Sequence, residues 1–193
     1  MKFRQMVDGI ATALTAAGFA EVRPHPSYAA ATHVVFVRAE AGDVLAVAFE
    51  PMRNPPGRLD FTVRLRAATA AWVRFADAGR PGQPAEAHAR LWEHAVPVLP
   101  GFEGIGHEIW AVVQGDDVVP LQAALHRELA TRAIPGLLAE LRHLHAIEDA
   151  VRRGDDASAQ RLVDAPRSRS LWHGGGPEMR AYIEWLRRPA PPK

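Results

Sequence analysis

The sequence predicts an α+β fold: an antiparallel β-meander of four to five strands with helices packed on one face, plus a small helical C-terminal extension. Two patterns carry this expectation. Residues 33–38, 44–49 and 60–66 are three closely spaced stretches rich in β-branched and aromatic side chains. Residues 3–17 and 121–144 instead carry apolar side chains at helical spacing, i, i+3, i+4 and i+7.

Phe3, Met6, Val7, Ile10, Ala13, Leu14 and Ala17 form the apolar stripe of an opening helix. Gly18 stands where a helix C-terminal glycine belongs, and Phe19 is the apolar residue that such a cap carries behind it. Residues 33–38 and 44–49 read as strands, the second apolar on both faces and so covered on both sides. In the next strand Phe61, Val63 and Leu65 alternate with Asp60, Thr62, Arg64 and Arg66, which places three apolar side chains inward and the polar set on a wet face. Pro51, Pro55, Pro56 and Gly57 interrupt the chain between these two strands.

Residues 68–78, with Trp72, Val73 and Phe75, read as a fourth strand, and residues 86–96 as a short helix. Residues 108–113 (EIWAVV) read as a further strand with Trp110 in the core. Leu121, Leu125, Leu129 and Ile134 mark a closing helix, with Pro120 in its first turn and Asp116 or Asp117 as N-cap. Pro135 predicts a kink or break before the pattern resumes over residues 136–144. Two short helices around a Gly-Asp turn and a third over residues 177–187 complete the extension. The organisation expected is residues 1–141 as the α+β domain and 142–193 as the extension.

With 193 residues, 48% of them hydrophobic, the chain has the material for one substantial core. A net charge of +1 gives no global attraction for nucleic acid or anionic membrane, and acidic residues interleave the arginines near the end of the chain. There is no cysteine, which excludes disulfides, thiolate nucleophiles and cysteine-ligated metals. No apolar run approaches the roughly 18 residues of a membrane span. Asp8 interrupts the apolar residues of the N-terminus, which lacks a continuous apolar stretch, and no signal peptide is legible, so the expected location is cytoplasmic.

The order of these pieces resembles the bacterial domain-of-unknown-function family 4304. The resemblance is carried by Ala17, Gly18 and Phe19, by the meander over residues 34–67, by Ile109, Trp110, Ala111 and Val112, by Asp116 and Asp117, and by Ala133, Ile134, Pro135, Gly136, Leu137 and Leu138. It covers roughly residues 3–141. Where the family usually carries an aromatic residue after the proline, Gly136 stands here. The resemblance implies the fold and supplies no catalytic residues.

No catalytic frame is legible, and no cofactor or metal is expected. His143 and His145 point about 160° apart on a helix, which is wrong for one metal. Glu140 with His143, and His145 with Glu148, have di-iron spacing, but the matching second helix pair is missing. His88 and His94 flank Trp92 at no ligand spacing. Ser27, Ser158, Ser168 and Ser170 lack a Gly-x-Ser-x-Gly frame. The glycines at 174–176 lack the strand and the Gly-Lys-Ser/Thr end of a phosphate loop, and read as a loop leading to Pro177 at a first helical turn.

Two sets of residues remain. Arg64, Arg66 and Arg74 are candidate ligand-binding residues for an anion or an acidic surface; the competing reading is a row of solvent-facing arginines with Asp60 to pair one of them. Trp172 and Trp185 form a candidate interaction surface, or else anchor the extension to the domain. The leading functional expectation is therefore a non-enzymatic protein–protein interaction module, of regulatory or immunity type. The alternative is a small-molecule or anion binder, conceivably an enzyme, with an Arg-lined pocket against the sheet. The oligomeric state is left open.

Overall fold

The computed structural model describes residues 3–22, 32–52, 55–79, 81–82, 90–165, 171–174 and 176–188, with only the backbone of 173 and 174. The described chain is a mixed helix-and-strand molecule built on an antiparallel open sheet of seven strands, two more than the upper expectation. The strands are β1 (Ala20–Val22), β2 (Val34–Glu40), β3 (Asp43–Pro51), β4 (Arg58–Ala68), β5 (Trp92–Ala95), β6 (Gly104–Ile105) and β7 (Ile109–Val113). They follow the order β1-β2-β3-β4-β7-β6, and β5 also pairs with β4.

Helix α1 (Phe3–Ala16) ends as its sequence predicts. Gly18 takes a φ of +81°, and the Phe19 and Gly18 amides donate to the Leu14 and Thr15 carbonyls. This closure drops Phe19 into the core. β2 and β3 are joined by the two-residue turn Ala41-Gly42, both residues having positive φ as the right-handed twist of a hairpin demands. Ala41, at φ +52°, bears a left-handed backbone at a cost of about 1 kcal/mol that a glycine would avoid.

The register sends Leu45, Val47, Phe49, Phe61, Val63 and Leu65 to one face of the sheet. There they join Met6, Val7, Ile10 and Leu14 of α1 and the leucines of the closing helix in one core. The opposite face carries a smaller cluster of Val35, Val44, Ala46 and Ala48, with Val73 packed on it. β3 is thus buried on both sides, in line with its apolar composition.

Two stretches depart from expectation. Residues 70–79 are not a strand but helix α2 (Ala70–Gly79). Thr69 begins it: its Oγ1 accepts from the Trp72 amide, and Asp43 Oδ1 accepts from the Ala70 amide, so two exposed-end donors are satisfied at once. Residues 92–95 are strand β5 rather than helix. Their partner is the outer edge of β4, which is long enough to take β7 along residues 58–61 and β5 along residues 64–67.

The second half of the chain forms α3 (Val119–Glu128), a wide π turn (Leu129–Ala133), α4 (Ile134–Arg152), α5 (Asp156–Val163), α6 (Leu171–Gly174) and α7 (Pro177–Leu186). Pro177 sits at the first turn of α7, as anticipated. The residue 141/142 boundary falls inside α4, and Met179, Tyr182 and Leu186 of α7 belong to the same core as α1 and the sheet. No helix among the described residues is long and apolar enough to cross a membrane.

Candidate ligand-binding cleft

The wide turn follows from the leucine spacing and from Pro135. Leu121, Leu125 and Leu129 are four apart, but the next buried position is Ile134, five on. One residue too many for an α-turn is absorbed by the π turn, in which the Ile134 amide donates to the Leu129 carbonyl, five residues back. Pro135 has no N–H and its ring collides with the carbonyl four residues before it in a regular helix; widening the turn just ahead relieves that clash without breaking the helix. The predicted kink or break is therefore replaced by a bulge, and the apolar stripe regains the core at Ile134, Leu137 and Leu144.

Opposite this bulge lies β5. Its pairing with β4 sets Leu65 across from His94, Arg66 from Glu93 and Ala67 from Trp92. Successive side chains alternate, so Trp92 and His94 face the helices while Glu93 points through to the other side. Between β5 and the bulged helix lies a cleft of about 330 Å³. Leu65, Trp92, Val96 and Leu137, all buried, make its apolar floor. Its rim is polar: His94, Glu128, Arg132 and Glu140. Glu128 is 14% exposed and its carboxylate lies 3.8 Å from the guanidinium of Arg132, which is 77% exposed. The Trp92 Nε1–H has no hydrogen-bond partner among the described residues. Gly136 also lines the cleft, and a Cβ built there meets no atom within 4 Å. A second hollow, of about 180 Å³ beside Arg58 and Gln114, is below the size of a ligand site.

Arg64 and Arg66 lie on the other face of the sheet, and neither they nor Arg74 line this cleft. Arg66 is not wet but only 3% exposed. Its guanidinium donates to Glu50 at 2.5 Å and to Glu93 at 2.6 Å, so one buried cation is matched by two carboxylates. Thr62 also reaches Glu50, at 3.5 Å. Arg64 shares that face and pairs with Glu108 at 3.2 Å. Asp60 pairs with Arg58 at 2.6 Å. Arg74 stands exposed on α2. Alternation separates the two faces correctly, but the wet face expected for the polar set is overturned: Asp60, Thr62 and Arg66 are all buried. His33 lies in the field of Glu50, Arg66 and Arg90, and desolvation lowers its pKa from the ordinary value.

Trp172 is buried and Trp185 half-buried. Both pack on Tyr182, Trp185 also on Phe75 of α2, in an aromatic cluster whose tightest pair is Trp72 against Tyr182 at 4.9 Å. Beneath the cluster sits Glu148, fully buried and missed by sequence reasoning as anything but a partner for His145. Tyr182 donates to it at 2.5 Å, and Thr69 and Arg152 donate to it as well. His145 bonds Asp43 through Nε2 at 2.8 Å and has Nδ1 4.0 Å from Glu148. Burial raises the Glu148 pKa, and its three donors offset only part of that. Burial and the neighbouring carboxylate likewise push the Tyr182 hydroxyl up.

His143 bonds the Leu162 carbonyl at 3.0 Å, so His143 and His145 diverge as their spacing predicts. Ser158 accepts from Arg161 and lies in the first turn of α5. Ser27, Ser168, Ser170 and His88 lie outside the described residues. Among the described residues no three His, Asp or Glu side chains stand close enough to hold a metal.

The arginine geometry predicts opposite outcomes for two substitutions. Arg66→Met strands Glu50 and Glu93 and is expected to cost about 3–5 kcal/mol in urea unfolding, whereas Arg74→Ala stays within about 0.5 kcal/mol. Glu148 makes a pH-dependent prediction. Its folded pKa lies above the ordinary value of 4.5, so above pH 4.5 the unfolded chain has released a proton that the folded one still holds. Stability from this group therefore declines as pH rises through that window and then levels off. Urea titrations across pH 4–8 are expected to show Glu148→Gln with a flatter decline than the wild type. No family model matches the chain, and no curated protein or solved structure matches it, so a functional reading has to come from this geometry.

Proposed function

We propose that the protein is a cytoplasmic, non-enzymatic binding module whose ligand seats in the cleft between β5 and the π turn. The observation that supports this is a convergence of local irregularities. A π turn and a helical glycine each weaken a helix, the glycine by about 1 kcal/mol relative to alanine. Gly136 has no packing reason to be glycine, since a Cβ there meets nothing. Both irregularities border the same cleft, and departures of this kind concentrate where a chain binds something. The lining supports binding through its carboxylates, guanidinium and imidazole, which can hold the polar end of a ligand above the apolar floor. The arginine face supports an anion site less well, because Arg66 already has two carboxylates.

Gly136→Phe is the test. Its side chain is expected to fill the cleft with the fold intact, because replacing a helical glycine favours the helix. In a fragment screen read from the indole N–H resonance of Trp92, hits on the wild type are expected to vanish in Gly136→Phe. Hits that persist unchanged in that variant, or a screen with none, refute the reading.

A second reading, docking of a protein partner, is favoured by one further observation. Ile105 and Val113 are 50% and 38% exposed on the edge strand β6 and its neighbour β7, on the sheet face away from the cleft. Capture from the native host is expected to recover a partner with the wild type and lose it with Ile105→Glu/Val113→Glu; equal recovery by both removes this reading.

A further inference from the structure

Trp92 lines the cleft and is only 4% exposed, and its Nε1–H has no hydrogen-bond partner among the described residues. A buried donor left in that state is held at a cost, which an acceptor that reaches it removes. Trp110, buried in the same core, shows the ordinary arrangement: its Nε1–H donates to the Val96 carbonyl at 3.1 Å. From an unpaired donor beside an apolar floor we infer that the cleft takes a small uncharged carbonyl compound. Its oxygen accepts from Trp92, and its body lies on Leu65, Val96 and Leu137. This inference rests on the reading of the cleft given above and deepens it by naming the chemistry of the occupant.

The surroundings of this donor select among head groups. One neutral N–H offsets the hydration that a carbonyl oxygen gives up, but not that of a carboxylate brought to the same depth. The guanidinium of Arg132 is 77% exposed and lies 3.8 Å from Glu128, so its charge is screened by water and does not make up the difference. An ammonium carries donors only and leaves the indole N–H unpaired. A hydroxyl can accept, but it brings a donor of its own that then needs a partner on the dry floor. A volume of about 330 Å³ suits a body of about one ring. The N–H is closed to water, so the indole turns slightly toward that open volume as the oxygen arrives. At the buried floor the resulting bond is stronger than in water.

Acetophenone, isopropenylbenzene and benzoate share one shape and differ at the oxygen: a carbonyl, a methylene in its place, and a carboxylate. Calorimetric titrations compare them on the wild type and on Trp92→benzothienylalanine, in which sulfur replaces the N–H and the ring shape is kept. The ketone is expected to bind the variant about tenfold more weakly than the wild type, and the hydrocarbon to stay within about twofold. Benzoate is expected to bind the wild type at least about tenfold more weakly than the ketone. The Trp92 indole N–H resonance of the wild type is expected to move downfield with the ketone and not with the hydrocarbon, while that of Trp172, which does not line the cleft, stays in place. If the variant loses both ligands because its wall is disturbed, this resonance alone decides. A ketone that binds the variant as well as the wild type, a Trp92 resonance that does not move downfield, or benzoate as tight as the ketone overturns the selection for an uncharged carbonyl. The cleft then remains a binding site provided that Gly136→Phe abolishes the binding seen. If none of the three binds the wild type and the fragment screen is also empty, both fall together.

Discussion

Strand β4 is the constraint from which the rest follows. It is eleven residues long, paired along both edges, and its polar face is covered instead of wet. A buried guanidinium is tolerable only if it is matched, so Arg66 needs carboxylates from both neighbouring strands, Glu50 from β3 and Glu93 from β5. Supplying Glu93 fixes the register of β5. That register in turn puts Trp92 and His94 on the opposite face, against the helices. One ion-pair triad thus determines what lines the cleft on the far side of the sheet, although none of its own atoms is there.

The helix across from β5 answers with an irregularity of its own. A regular helix from Val119 to Arg152 would carry Ile134 and everything after it around the axis, away from the core. The one-residue bulge restores the stripe, and Glu128, Arg132 and Gly136 line the cleft beside it. The space left, about 330 Å³, has an apolar base and a charged lip.

Much of the scaffold is legible in the sequence because its signals are local. The Gly18-Phe19 ending of α1 and the alternation in β4 are decided within a few residues of chain. Trp72, Val73 and Phe75 within residues 68–78 suit a strand as well as a helix; what decides is Thr69 as an N-cap, which takes its meaning from Trp72 three residues on. The four residues of β5 carry no period of their own, and their state is set by an edge of β4, with Glu93 opposite Arg66 twenty-seven residues earlier. The burial of Arg66 was invisible because alternation states which side a residue faces and not whether that side is covered. The cleft itself had one trace in the sequence, the five-residue step from Leu129 to Ile134 beside Pro135-Gly136. Its meaning required the strand opposite.

Glu148 and the aromatic cluster above it bear on how the chain is made. Tyr182, the hydroxyl partner of Glu148 and the ring against which Trp72 packs, comes more than a hundred residues after Trp72. During synthesis the sheet and α1 emerge before this helix, so the ring face of Trp72 is covered, and Glu148 gains the last of its three donors, only when Tyr182 arrives.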